Sequence, residues 1–260
     1  MLKRIIYSIY TNNLDAHTSA TDFKKSQFEK YKHKLEESQR QYAKLCNADY
    51  ILHKTSTVNY NDVQFEKLLL LEKHAEDYDE MLYLDFDVVP ITKVNYFEFH
   101  DMNKLTGYGL IRKPKETDLR KWLRKGRQQH QQNVYVKTCA KNAMLSLNGI
   151  NGNDLLINTG VIGCNRNIAY QINFSNKKNI LYDVLEEAIE DNLYPDEISN
   201  SFFHNNEVYL SYIVEKYDIP FANLGMPWNF ILDGYCKKPS AAAHLLHHVN
   251  KEFEISFEKI

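Results

Sequence analysis

The sequence predicts an α/β protein with a mainly parallel sheet and helices on both of its faces. Two observations carry this. Strand-like and helix-like segments alternate through the first third of the chain, and such alternation builds parallel sheets covered by helices. The apolar run Met81-Leu82-Tyr83-Leu84 then ends in Asp85-Phe86-Asp87, so a buried strand delivers two carboxylates to the sheet edge where such folds bind ligands.

The elements follow in order. Arg4 to Tyr10 is a β-branched and aromatic run closed by polar Thr11-Asn12-Asn13, and reads as a first strand. From Asp22 to Cys46, Phe28, Tyr31, Leu35, Tyr42 and Leu45 recur at helical spacing with a Lys/Glu-rich outer face. Asp49 to His53 is a second short strand. Asn61 or Asp62 caps a second helix whose apolar face is Phe65, Leu68, Leu69 and Leu71, and Met81 to Leu84 is the third strand. Later, Leu155-Leu156-Ile157 and Val161-Ile162 are strand-like. Helices are expected at Leu181 to Asn192 and at Val208 to Tyr217, the latter stopped before Pro220.

Composition narrows the class. With 260 residues, 43% hydrophobic, the chain has material for a sizeable core, and 9 Gly and 6 Pro exclude collagen-like and low-complexity architectures. A net charge of -2 excludes a globally basic nucleic-acid binder, while leaving room for a local basic patch. Such a patch exists. Arg112, Lys113, Lys115, Arg120, Lys121, Arg124, Lys125 and Arg127 crowd together ahead of a Gln/His run, and 112–133 reads as an exposed insertion in a single domain spanning 1–260. Cys46, Cys139, Cys164 and Cys236 form no CxxC pair, which excludes a zinc ribbon and suits a reducing cytoplasm. No apolar run approaches the roughly 18 residues that span a bilayer, so the expectation is a soluble, cytoplasmic protein.

Four segments carry candidate chemistry. Asp85 and Asp87, one residue apart on an extended chain, project from the same face. Their repulsion calls for a cation, and Mn²⁺ or Mg²⁺ shared with substrate phosphates answers it; the competing reading is a solvated acidic loop. Asn158-Thr159-Gly160-Val161 places an amide beside a glycine, suited to sugar hydroxyls and equally to an ordinary turn. Asn205-Asn206-Glu207 opens a helix, where the carboxylate serves as a cap or as an active-site group. Ala242 to Lys251 delivers His244, His247, His248 and Lys251 from a strand, against the alternative of core or surface histidines.

The order of these pieces resembles that of GT-A-type glycosyltransferases, especially the retaining, glycogenin-like and galactosyltransferase-like group. The most specific match is Glu76-Asp77-Tyr78-Asp79-Glu80 followed by Met81-Leu82-Tyr83-Leu84-Asp85-Phe86-Asp87-Val88-Val89-Pro90. The resemblance implies a nucleotide-diphospho-sugar transferase fold. Asp85 and Asp87 would hold the metal, with Asp85 also near the ribose. Ser8, Tyr10 and Thr11 would line the nucleotide pocket, and Lys67 joins the substrate-binding residues. Asn158 and Gly160 would face the transferred sugar, and Asn206 and Glu207 the anomeric carbon. His247 would bind metal, with His244 and His248 as alternatives, and Lys251 would bind phosphate. The Gly and Pro-Trp expected after that histidine are absent. Glu207 or Asp154 would be the catalytic carboxylate.

The implied reaction moves a sugar, hexose or pentose, from a nucleotide-sugar, by default a UDP-sugar, to a hydroxyl, with retention favoured. The acceptor is a glycan or, through 112–127, a modified DNA base of the kind that some large phages glycosylate; a viral protein would work in host cytoplasm. Two other readings stand beside this one. Leu84 to Val89 also resembles the first motif of haloacid-dehalogenase-type phosphatases, although that motif normally opens its fold. The basic segment alone would suit a non-catalytic nucleic-acid-binding module, which leaves the Asp-x-Asp strand unexplained.

Overall fold

The computed structural model describes residues 2–11, 22–55, 60–111, 134–191, 193, 205–233, 236 and 238–258. The expected basic insertion at 112–133 lies outside them. Two compact units form: one from Met1–Tyr108, Thr159–Gln171 and Pro220–Ile260, the other from Gly109–Asn158 and Ile172–Ile219.

The main sheet consists of strands β1 (Arg4–Thr11), β2 (Asp49–Thr55), β3 (Glu80–Leu84), β5 (Leu105–Ile111), β6 (Leu155–Asn165) and β7 (Phe221–Asn223), in the spatial order β2-β1-β3-β6-β5-β7. β1 pairs in parallel with both β2 and β3, and β7 lies parallel to β5; β6 runs antiparallel to β3. Alternation along β1 then sorts the helices. Ser8 and Ile6 face α1 (Asp22–Leu45), through a hydrogen bond from Ser8 to Gln39 and shared packing with Tyr42. Tyr7 points the other way, its hydroxyl donating to the Lys67 carbonyl of α2 (Tyr60–His74). The two helices therefore cover opposite faces.

α1 buries Tyr31, Leu35, Gln39, Tyr42 and Ala43, the stripe its periodicity predicts with one polar member. It ends in a Schellman motif. Asn47 takes φ 51°, Ala48 N–H donates to Ala43 O (2.9 Å) and Asn47 N–H to Lys44 O (3.2 Å). In α2, Phe65, Leu68, Leu70 and Leu71 are buried while Leu69 is exposed, so the core face is shifted from the expected one. The helix begins at Tyr60, which puts Asn61 and Asp62 inside it instead of at its cap.

Short elements complete this unit. β4 (Val88–Pro90), β9 (Leu245–His248) and β8 (Phe230–Leu232) make a second sheet in the order β4-β9-β8, preceded by a 3₁₀ turn at Met226–Asn229. α3 (Tyr96–Phe99) is capped by Asn95, whose side chain accepts from Phe97 N–H. A core of Ile6, Tyr42, Leu82, Leu84, Val88, Tyr96, Trp228 and Leu245 joins the two sheets. Gly163 on β6 is required by packing, because a Cβ there would lie 2.7 Å from the Tyr96 ring and 2.8 Å from Thr106 Oγ1.

The second unit contains α4 (Val134–Ser146), α6 (Phe174–Glu190) and α7 (Asn206–Lys216); α5 (Arg166–Ile172) precedes α6. Fully buried Lys141 of α4 fastens it, donating to Asn153 O (2.9 Å), Leu155 O (2.9 Å) and Glu215 Oε2 (2.6 Å). The strand-like pieces around Asn158 prove to be one eleven-residue strand, β6, so Asn158 and Gly160 sit in extended chain and the turn alternative is overturned. Among the described residues, no helix is long and apolar enough to cross a membrane.

Candidate active site

β3 ends at Leu84 because the next residues turn. Val88 N–H donates to Asp85 O (2.9 Å), closing a tight turn over Asp85-Phe86-Asp87. The two carboxylates are thus brought together by a turn, and not, as the spacing predicts, by the pleat of an extended strand. Asp85 N–H is held by Gly160 O at 2.8 Å, and His248 N–H donates to Asp87 O at 3.0 Å. Phe86, between the acids, packs on Tyr10 and stacks on Phe28.

The register of the second sheet supplies the third group. Val88 pairs with His247, so the imidazole arrives beside Asp87. His247 Nε2 lies 3.7 Å from Asp85 Oδ2 and 3.6 Å from Asp87 Oδ2. Its Nδ1 is 3.0 Å from Asn229 Oδ1, an acceptor, a contact that suits the tautomer protonated on Nδ1 and leaves Nε2 as the atom that could bind a cation. One ligand atom from each of Asp85, Asp87 and His247 lies within 4.8 Å of the others. Two carboxylate oxygens and an oriented imidazole nitrogen fit a divalent cation. His244 and His248 are engaged elsewhere: His244 Nδ1 is 2.9 Å from Thr92 Oγ1 and its ring stacks on Trp228, while His248 Nε2 is 2.7 Å from Ser256 Oγ.

Ammonium groups surround this cluster. Lys67, buried, donates to Asp85 Oδ1 (2.9 Å) from a position over the Tyr83 ring, and Tyr83 Oη donates to the same oxygen (2.6 Å). Asp85 Oδ1 is therefore occupied and Oδ2 is the atom turned toward His247. Lys251 donates to Asp87 Oδ2. Burial pushes the Asp87 carboxyl up, but the charge and hydrogen bond of the Lys251 ammonium, with His247 adding to it whenever that ring is protonated, outweigh it and hold the group well below the usual carboxylate range. Burial and the charge of Lys251 push the Lys24 ammonium down, partly offset by the charge of Asp87.

The remaining expected residues separate into two groups. Ser8 is fully buried, donating to Gln39 Oε1 (2.5 Å) and Leu84 O (2.7 Å), and Tyr10 is covered by Phe28, Phe86 and the Lys32 ammonium. Thr11 ends β1 opposite Thr55. In the second unit, Asn158 Nδ2 donates to Glu207 Oε1 (2.7 Å) and Lys137 donates to Glu207 Oε2. The cap of α7 is Asn205, which accepts from Val208 N–H, so the Glu207 carboxylate is left to these partners. Asn206 is buried beside it in sequence, and Asp154 is half-buried near Lys141 and Cys139.

Sequence reasoning missed Gln39, Tyr83, Asn229, Lys137 and Lys24. Gln39 had a visible signal, as a polar residue four after Leu35 and three before Tyr42 on an apolar stripe. It donates to Asp85 O and Val88 O and thereby holds the carboxylate turn.

No family model and no curated protein matches the sequence. Among solved structures, the chain is similar to a glycosyltransferase involved in the glycosylation of the major capsid of PBCV-1, at 13% identity and a TM-score of 0.51 over 98% of this chain and 99% of that one. Fainter likenesses are to mouse xyloside xylosyltransferase 1 (12% identity, 95% of this chain and 98% of that one, TM-score 0.46) and to galactosyltransferase LgtC (14%, 94% and 87%, 0.36). These two add nothing to the fold assignment at such scores. The chain has a GT-A-type α/β fold, with Asp85-x-Asp87 in a group that could hold a metal.

Proposed function

We propose that the chain is a metal-dependent glycosyltransferase that moves a sugar from a nucleotide-diphosphate sugar to a hydroxyl. One observation carries the reading: Asp85, Asp87 and His247 converge at the end of β3, with Lys251 bonded to Asp87 and Lys67 to Asp85. Carboxylates and imidazole suit a divalent cation, and ammonium groups suit a diphosphate.

Asp85, Asp87 and His247 would hold the cation, and Mn²⁺ is favoured over Mg²⁺ because one donor is a nitrogen. A bound divalent cation neutralises charge on the departing diphosphate. Lys251 donates to phosphate oxygens, and Asn229 keeps His247 in the tautomer that presents Nε2. Charge developing on the sugar resembles that in glycoside hydrolysis. Glu207 is the carboxylate proposed to stabilise it, ahead of Asp154, because Lys137 and Asn158 hold both of its oxygens. UDP as the nucleotide, retention at the anomeric centre and a glycan as acceptor complete the proposal, with both compact units serving one transferase. Use of DNA through 112–127 is the competing acceptor.

The test is nucleotide release from a panel of UDP-sugars with Mn²⁺, with and without glycan acceptors or DNA. Metal-dependent UDP release that Asp87→Asn abolishes supports the reading. No release from any donor, together with Mg²⁺-dependent hydrolysis of a generic phosphomonoester, would replace it with the phosphatase reading.

A further inference from the structure

We infer that Lys251 competes with the divalent cation for Asp87, so that metal binds weakly until a diphosphate draws the lysine away. The inference rests on the metal-dependent reading above and adds an order to it.

The two lysines take different kinds of oxygen. Lys67 bonds Asp85 Oδ1, while Oδ2 is the atom near His247, so Lys67 leaves the ligand atom alone. Lys251 instead bonds Asp87 Oδ2, the same oxygen that faces His247 Nε2 at 3.6 Å. An ammonium and a metal cannot both take that position at full strength.

The two lysines also differ in freedom. Lys67 has a side chain only 3% exposed and is trapped over Tyr83. Lys251 has a side chain 17% exposed and stands just after β9 with φ 63°, a left-handed backbone at which a non-glycine residue is strained. Lys67 is a fixed partner for Asp85, and Lys251 is placed to exchange.

Charge supplies the driving force. Lys67 pairs with Asp85 and Lys251 with Asp87, so a lone divalent cation enters a site in which each carboxylate already has an ammonium partner. A nucleoside diphosphate reverses this balance by giving Lys251 an anionic partner of its own. Metal and nucleotide should then bind with strong mutual dependence.

Mn²⁺ binding to the full chain, followed by the paramagnetic resonance of free Mn²⁺, tests this. Lys251→Gly removes the ammonium and suits the left-handed backbone, so it retains the fold. It should bind Mn²⁺ alone at least about tenfold more tightly than the parent, because a competing unit charge has gone. UDP should tighten Mn²⁺ on the parent by at least about tenfold, and on the glycine variant by much less. Lys251→Arg, which keeps a cation on Asp87, should stay as weak as the parent. If the parent binds Mn²⁺ with UDP but Lys251→Gly gains nothing for Mn²⁺ alone, Lys251 is no competitor and the inference is wrong. If neither protein binds Mn²⁺ even with UDP, the metal-dependent reading fails and the inference falls with it.

Discussion

Gln39, fully buried in the middle of α1, donates from one amide nitrogen to the main-chain carbonyl of Asp85 at 3.0 Å. The same nitrogen reaches Val88 O at 2.8 Å, and its oxygen accepts from Ser8 and Tyr50. A helix side chain thus ties β1, β2 and the carboxylate turn together. Gln39→Leu leaves several buried polar groups without that partner, at about 1–3 kcal/mol for each one that stays unsatisfied. Chemical denaturation should show a loss of about 3 kcal/mol or more, with weaker Mn²⁺–UDP binding. A variant as stable as the parent would mean that α1 does not hold the turn.

Asp85 and Lys67 form an ion pair in which the lysine is buried. Asp85→Asn strands that ammonium, so the variant should lose turnover and also about 3 kcal/mol of stability. Adding Lys67→Met should restore most of the stability and none of the turnover. Equal melting temperatures for Asp85→Asn and the double variant would show that the pair is not coupled.

Lys137 and Asn158 bind opposite oxygens of Glu207. If Glu207 has the catalytic role proposed for it, Lys137→Met should let the carboxylate reorient and lower kcat by about tenfold to a hundredfold, since small displacements of a reacting group are costly. Steady-state kinetics should show the donor KM little changed. A KM effect with kcat intact would assign Lys137 to substrate binding instead.

His74 and His100 make stability depend on pH. Burial, then the charges of His53 and Lys73, push His74 down to about 4, and burial with His244 does the same to His100. Between these values and the ordinary 6.5, the unfolded chain binds protons that the folded chain refuses. Stability is therefore full above pH 6.5 and is lost as the pH falls toward 4. Melting temperature should drop across this window, and His74→Phe should flatten the slope; an unchanged slope would locate the titration elsewhere.

The parts legible in the sequence were those set by local pattern. Arg4 to Tyr10, α1 and Met81 to Leu84 announce themselves by period and composition, and Asp85 and Asp87 by following a buried strand. What was illegible depends on distant partners. Asn229 matters only because the parallel pairing of β8 with β9 brings it to His247, and Lys137 only because α4 packs against α7. β4, β7 and β8 are three residues each, too short for any period to show. In α2 the run of four leucines concealed its own face, so exposed Leu69 and buried Leu70 could be told apart only once packed.

Asp85, Asp87 and His247 are proposed to hold a divalent cation that serves a nucleoside diphosphate. Thermal unfolding with UDP, GDP, CDP and ADP, each with and without Mn²⁺, is the decisive test. A nucleotide at 100-fold its dissociation constant adds about 2.7 kcal/mol, or roughly 5–10 °C for a chain of this size. UDP should raise the melting temperature by that amount, with Mn²⁺ required and the rise absent in Asp87→Asn. No rise with any nucleotide, or a rise indifferent to both metal and Asp87, would contradict it.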